Sequence, residues 1–165
     1  MSPPPRLSLH VKSLDATHAV AAALARLSRP GDVILLAGEM GAGKTAFAQG
    51  FGRALGVTEP ITSPTFTLVH SYDTGGPTLH HADLYRLDQL NEVMDLALGE
   101  LAEFDGIVLV EWGDVVESTF GEHLVVRLDL LDADVDSRRI TITPTGTTWA
   151  RRWSSLSDAL QEHAE

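Results

Sequence analysis

The chain has 165 residues, of which 44% are hydrophobic, and its 12 Lys and Arg residues against 23 Asp and Glu residues give a formal net charge of −11. This size and hydrophobic content predict one globular domain over residues 1–165, and the absence of cysteine excludes disulfides, thiolate metal sites and a cysteine nucleophile. The acidic balance disfavours direct binding of a nucleic acid, since Lys and Arg supply most of the affinity for a phosphate backbone.

The first thirty residues predict a frayed end, a strand and a helix. Residues 1–5 are proline-rich and too short and polar for a signal peptide, and no run reaches the ~18 apolar residues of a membrane span, so we expect a cytoplasmic protein without membrane contact. Residues 6–11 alternate as a short strand. A helix capped by Asp15 or Thr17 is expected next. Its apolar face carries Val20, Leu24 and Leu27.

An apolar run at residues 33–37 predicts a buried parallel strand, and residues 38–45 (GEMGAGKT) then match the phosphate-loop pattern G-x-x-x-x-G-K-[ST]. The glycines let backbone N–H groups approach a phosphate closely. We expect Lys44 to reach the β- and γ-phosphates and the Thr45 hydroxyl to ligate Mg²⁺ at the start of the following helix. The predicted nucleotide contacts in this region are Gly38, Glu39, Met40, Gly41, Ala42, Gly43, Lys44, Thr45 and Ala46.

A polar connection follows the helix after the phosphate loop. Ser63 and Thr65 in this connection either reach the γ-phosphate or the metal, or form only a local Ser-Pro turn, and the residues favour neither reading. Residues 67–72 and 79–84 predict two strands joined by a glycine-rich turn. Asp83 then falls near the end of the second strand.

A second apolar strand at residues 107–110 leads into Glu111 and Trp112, after a helical apolar stripe formed by Leu90, Val93, Met94, Ala97 and Leu101. Ligands of open α/β sheets lie beyond the carboxyl ends of the parallel strands, so an acid at this position would lie beside the phosphate loop. Glu111 is therefore our candidate to hold Mg²⁺ or orient the attacking water, with a helix-capping carboxylate as the alternative. Trp112 either packs or takes part in function.

The last third of the chain changes from parallel to antiparallel character. Residues 124–130 and 138–143 alternate as an antiparallel pair joined by an acidic connection. Residues 146–165 predict a C-terminal helical tail. Its apolar face carries Trp149, Trp153, Leu156 and Leu160.

Four ordered motifs resemble those of the TsaE (YjeE) family, the small ATPase needed to make threonylcarbamoyladenosine in tRNA. They are the phosphate loop, the Ser63-Pro64-Thr65-Phe66 turn, the His81-x-Asp83-Leu84-Tyr85-Arg86-Leu87 segment and the Val110-Glu111-Trp112 end of a strand.

The resemblance implies a P-loop NTPase fold of class α/β, with three α/β/α layers around a mixed, mostly parallel sheet and an antiparallel C-terminal hairpin. It implies ATP or ADP with Mg²⁺, weak hydrolysis, docking on the TsaB–TsaD pair through TsaD, and tRNA reached only through these partners. It also implies Thr45 and Glu111 around the metal, Asp83 and Trp112 as functionally needed, and Thr17 near the nucleotide base. The family's basic residue near the base matches Arg139 only approximately.

Parts of the sequence also suggest three other functions. The D-x-x-G sequence at residues 73–76 suggests a GTPase, but no N-K-x-D guanine signature occurs in the chain. A P-loop small-molecule kinase with Asp83 as base would need a lid with arginines over the phosphates, and the arginines after the loop are scattered. A metal module of His80, His81 and Asp83 is disfavoured because strand alternation puts the two histidines on opposite faces.

Overall fold

The computed structural model describes residues 5–62, 69–83, 105–111, 121–132 and 134–165. Its helices and strands, in chain order, are β1 Leu7–Val11, α1 Leu14–Leu27, β2 Val33–Ala37, α2 Lys44–Leu55, β3 Val69–Tyr72, β4 Thr78–Asp83, β5 Gly106–Glu111, β6 His123–Leu131, β7 Asp134–Thr145, α3 Trp153–Ala159 and the 3₁₀ helix Gln161–His163.

The strands form one seven-stranded sheet in the order β1-β7-β6-β2-β5-β4-β3. Strands β6, β2, β5 and β4 run parallel to one another at its centre, whereas β1, β7 and β3 pair antiparallel at its two sides. Every residue of β2 and β5 is buried. Their continuous apolar runs predicted this, because central parallel strands are covered on both faces. The predicted α/β class with a mixed, mostly parallel sheet and an antiparallel C-terminal hairpin is confirmed.

Helices α1 and α2 pack against each other, and α3 contacts α1. Helix α1 begins two to four residues earlier than expected, because Ser13 is the N-cap: its backbone is extended and its hydroxyl accepts a hydrogen bond from the Ala16 N–H at 3.1 Å. The prediction of Asp15 or Thr17 as the cap is therefore wrong. Asp15 lies in the first turn, where its charge favours the helix dipole, and Thr17 lies buried inside the helix.

A polar cluster around Glu122, the residue before β6, holds the start of the C-terminal tail. The Glu122 carboxylate accepts hydrogen bonds from the Thr147 N–H and from the hydroxyls of Thr147 and Thr148, and these bonds lower the pKa of Glu122.

Helix α3 begins only at Trp153, so the prediction that Trp149 belongs to the helix is wrong. Trp149 is nevertheless buried, in a turn that precedes α3.

Several predictions lie outside the described residues: the helical stripe at 90–101, the roles of Ser63 and Thr65, and the role of Trp112. Within the described ranges, no helix is long and apolar enough to cross a membrane.

Candidate functional site

The phosphate loop joins the end of β2 to the start of α2 through three glycines with positive φ. The φ angles are 138° at Gly38, 83° at Gly41 and 106° at Gly43, a region that other residues rarely adopt. A Cβ atom at Gly38 would also clash with the backbone oxygen of Leu128 in β6. The loop is therefore shaped by its own glycines and held closely against a neighbouring strand.

Lys44 lies at the centre of this loop, with 5% of its surface exposed. Its Nζ donates hydrogen bonds to the backbone oxygens of Gly38, at 2.6 Å, and of Glu39, at 3.0 Å. The ammonium charge is thus held inside the loop, at the N-terminal end of α2, where the helix dipole also favours an anion.

Glu111 ends β5 beside the phosphate loop, as the parallel-strand argument predicted. Its Cα pairs in register with Leu36 of β2, and the residue is 3% exposed. The Thr45 hydroxyl donates to Glu111 Oε1 at 3.2 Å, with Oε2 at 3.4 Å. Two elements distant in sequence therefore bring a hydroxyl and a carboxylate together at the start of α2.

These donors fit Mg²⁺, a hard cation that prefers oxygen ligands and is usually held by one or two protein groups together with substrate phosphates. In the part of the chain that the structure describes, no group of three or more His, Cys, Asp or Glu side chains could hold a metal ion by itself. Thr45 and Glu111 would thus hold the cation jointly with a bound polyphosphate. Asp83 pairs in register with Glu111 from β4 and is 7% exposed, so a second acid lies at the same sheet edge.

His81 is a neighbour of Glu111 that the sequence analysis did not assign to the site. Its side chain is fully buried, and its Nε2 lies 2.6 Å from Glu111 Oε2. His80 points to the other face, where its Nδ1 lies 2.7 Å from the Ser71 hydroxyl and where burial lowers the pKa of His80. The predicted separation of the two histidines is confirmed. His81 and Glu111 lie on the same face of two adjacent strands. Their contact could be predicted from the sequence only if the order of the strands in the sheet were known.

A cavity of about 210 Å³ opens beside the phosphate loop. It brings Thr17 of α1 together with loop residues and Ala46 of α2. Its lining consists of Leu14, Thr17, Ala42, Gly43, Ala46, Asp136 and Arg138.

Arg138, not Arg139, lies beside the loop. The Arg138 Nε donates to the Ala42 backbone oxygen at 2.9 Å, and its side chain lines the cavity. Arg139 points to the opposite side of β7, where its Nε lies 2.9 Å from the Glu165 carboxylate. Successive strand residues alternate between faces, so a shift of one residue removes Arg139 from the place expected near the base.

The sequence profile of the family described as "Threonylcarbamoyl adenosine biosynthesis protein TsaE" matches residues 11–140. The chain is similar to the tRNA threonylcarbamoyladenosine biosynthesis protein TsaE of Bacillus subtilis, with 37% identity over 90% of each chain. It is also similar to that of Streptomyces coelicolor, with 42% identity over 77% of this chain and 89% of that protein.

The fold has a solved counterpart as well. The crystal structure of Bacillus subtilis YdiB matches with a TM-score of 0.75 and 32% identity, over 98% of both chains. The shared sequence thus extends over the strands and loops that build the site. The chain belongs to the TsaE family.

Proposed function

We propose that the protein is a Mg²⁺-dependent, ATP-binding and ATP-hydrolysing subunit that takes part in threonylcarbamoyladenosine biosynthesis in tRNA. The observation that carries this proposal is the meeting of Lys44, Thr45 and Glu111 around one glycine-rich loop. The names of the relatives support the proposed pathway. The phosphate loop supports the proposed nucleotide binding.

Each residue of the site has a distinct role in this proposal. The N–H groups of the loop and Lys44 bind the phosphates, and the adjacent cavity, which includes Thr17, takes the nucleoside. Thr45 and Glu111 hold Mg²⁺, which neutralises charge on the β- and γ-phosphates when bound. Asp83, which pairs in register with Glu111 from the next strand, orients the attacking water or couples the nucleotide state to partner docking in this proposal.

A docking surface for partners is proposed at the same end of the molecule. The exposed large hydrophobic residues of the described chain are Leu14, Met40, Leu130 and Val135. Met40 lies in the loop, Leu14 lines its cavity, Leu130 pairs with Arg138, and the Val135 backbone oxygen accepts from Arg138. Isolated exposed apolar residues are ordinary, but a shared position around one site favours protein binding.

The partner complex in this proposal is the TsaB–TsaD pair, and the shared compartment is the cytoplasm. With a net charge of −11, the protein would be repelled by a polyanion, so tRNA is held by the partners and not by this chain. The exposed apolar residues around the site instead favour contact with another protein, since apolar contacts do not depend on charge.

Nucleotide selectivity tests the proposal directly. We expect Mg²⁺·ATP and Mg²⁺·ADP to bind at least about tenfold more tightly than the guanine nucleotides, because the chain lacks the N-K-x-D guanine signature. Competition against a fluorescent ADP analogue measures the four affinities. Tighter binding of GTP than of ATP would overturn the assignment of an adenine nucleotide.

A further inference from the structure

The buried contact between His81 and Glu111 has no role in the loop and metal assignments above, which use Glu111 alone. His81 lies on β4 and Glu111 ends β5, the next strand in the sheet. Their side chains meet at 2.6 Å between His81 Nε2 and Glu111 Oε2, and His81 is fully buried. Because a buried polar contact of this kind fixes the orientation of both groups, the pair bears on how the Glu111 carboxylate is presented.

The hydrogen-bond pattern assigns the donor of this contact. A carboxylate accepts only, so the hydrogen between the two atoms belongs to His81 Nε2. Nδ1 of the same ring is buried and has no hydrogen-bond partner among the described residues. Nε2 is therefore the ring atom that donates to Glu111.

His81 contacts one oxygen of Glu111, and the Thr45 hydroxyl lies near both. Oε2 lies 2.6 Å from His81 Nε2 and 3.4 Å from the Thr45 hydroxyl, whereas Oε1 is the oxygen nearer that hydroxyl, at 3.2 Å. The hydrogen bond from His81 to Oε2 restricts rotation of the carboxylate and so keeps Oε1 directed towards Thr45. A histidine that orients a carboxylate in this way acts on the cation only through that carboxylate.

We propose that His81 is a positioning residue for Mg²⁺: it holds Glu111 Oε2 by a hydrogen bond so that Oε1 faces Thr45 and the cation. The inference rests on the proposed function, because it needs a nucleotide-linked Mg²⁺ site at Thr45 and Glu111. His81 itself contacts neither nucleotide nor metal in this proposal. Its effect should therefore appear in the Mg²⁺ dependence of nucleotide binding and not in the affinity without Mg²⁺.

Two amides of different reach test this role. In His81→Gln the amide nitrogen reaches about as far as Nε2 and can keep the hydrogen bond to Glu111, whereas the shorter side chain of His81→Asn cannot. His80→Gln is the matched control, since His80 is the adjacent residue and faces the other side of the strand. The measurement is binding of a fluorescent ADP analogue over a range of Mg²⁺ concentrations and in EDTA, with thermal unfolding as the check on folding.

We expect His81→Asn to raise the Mg²⁺ concentration for half-maximal binding about tenfold, the lower end of the effects seen for residues that orient metal ligands. His81→Gln and His80→Gln should stay within about threefold of the unmodified protein by the same reasoning. All variants should bind equally in EDTA. Equal Mg²⁺ dependence of the Asn and Gln variants, or an equal loss with and without Mg²⁺, would overturn the positioning role.

The unmodified protein provides two further readouts. In ¹⁵N NMR spectra of the metal-free protein, His81 should carry its hydrogen on Nε2; a hydrogen on Nδ1 alone would overturn the inference without any variant. If nucleotide binding by the unmodified protein does not depend on Mg²⁺, the proposed function itself fails. A Mg²⁺-dependent unmodified protein with unaffected variants refutes only the role of His81.

Discussion

Lys44→Ala is expected to weaken Mg²⁺·ADP binding by about a hundredfold and to abolish measurable ATP hydrolysis. The ammonium group is held inside the phosphate loop, 2.6 Å from the Gly38 oxygen, where a bound phosphate would gain a charge-assisted hydrogen bond. Removal of such a bond costs up to about 3 kcal/mol, which corresponds to about two orders of magnitude in affinity. Titration calorimetry measures the affinity, and phosphate release measures the hydrolysis.

The fold should survive this change, because the hydrogen bonds from the Lys44 amine to the backbone oxygens of Gly38 and Glu39 lie within the loop. We expect the free energy of unfolding to change by about 1 kcal/mol or less. Lys12→Ala is the matched control, since Lys12 is exposed on the surface. A folded Lys44→Ala protein with unchanged nucleotide affinity would show that the loop does not bind phosphate.

Arg152→Leu is expected to lower the free energy of unfolding by about 3–5 kcal/mol, because it leaves the buried Asp32 carboxylate without its counter-charge. The guanidinium makes two hydrogen bonds to this carboxylate, at 2.7 and 3.0 Å, and lies over the Trp149 ring at 3.8 Å. Both charged groups are buried. The pair therefore ties the C-terminal tail to the residue that precedes β2.

Urea unfolding measures this loss, and Arg151→Leu is the control at an exposed position next to it in the chain. Asp32→Asn combined with Arg152→Leu should recover a large part of the stability, since the amide oxygen can still accept from the Arg29 N–H. If Arg152→Leu unfolds at the same urea concentration as the control, the buried ion pair does not contribute as described.

The centre of the sheet and its acid could be predicted from the sequence, because both follow from local patterns. The apolar run of β2 directly precedes the glycine loop, and each pattern supports the interpretation of the other. The rule that ligands lie beyond the carboxyl ends of parallel strands then predicts Glu111 beside them. Arg138 and His81 could not be assigned in this way. The choice between Arg138 and Arg139 depends on the register of β7, and the contact of His81 depends on β4 lying next to β5.

Local hydrogen bonds account for the errors at the helix ends. Ser13, Asp15 and Thr17 are all residue types that cap helices, and only the extended backbone of Ser13 shows which of them does so. Towards the C-terminus, the spacing of Trp149 fits a helix, but Trp149 lies in a turn and is buried in the core from there. At Trp149 the apolar spacing predicted burial correctly and secondary structure incorrectly, whereas Trp153 and Leu156 do lie in the predicted helix.

The placement of β6 also lay beyond sequence reasoning. The alternating pattern predicted an antiparallel hairpin, which the structure contains, but not that β6 would pair in parallel with β2. This pairing brings the Leu128 backbone against Gly38 and the Arg138 side chain against the loop. The C-terminal hairpin therefore helps to shape the phosphate loop, through contacts between residues about ninety positions apart.

The measurement that tests the account most directly is the rate of ATP hydrolysis by the protein alone and with the TsaB–TsaD pair, each with Mg²⁺. Glu111→Gln serves as the control that lacks the carboxylate at the site. The account predicts slow hydrolysis by the protein alone, a rate at least about tenfold higher with the pair, and loss of both activities in Glu111→Gln. A rate that is unaffected by the pair, or equal in Glu111→Gln, would contradict it.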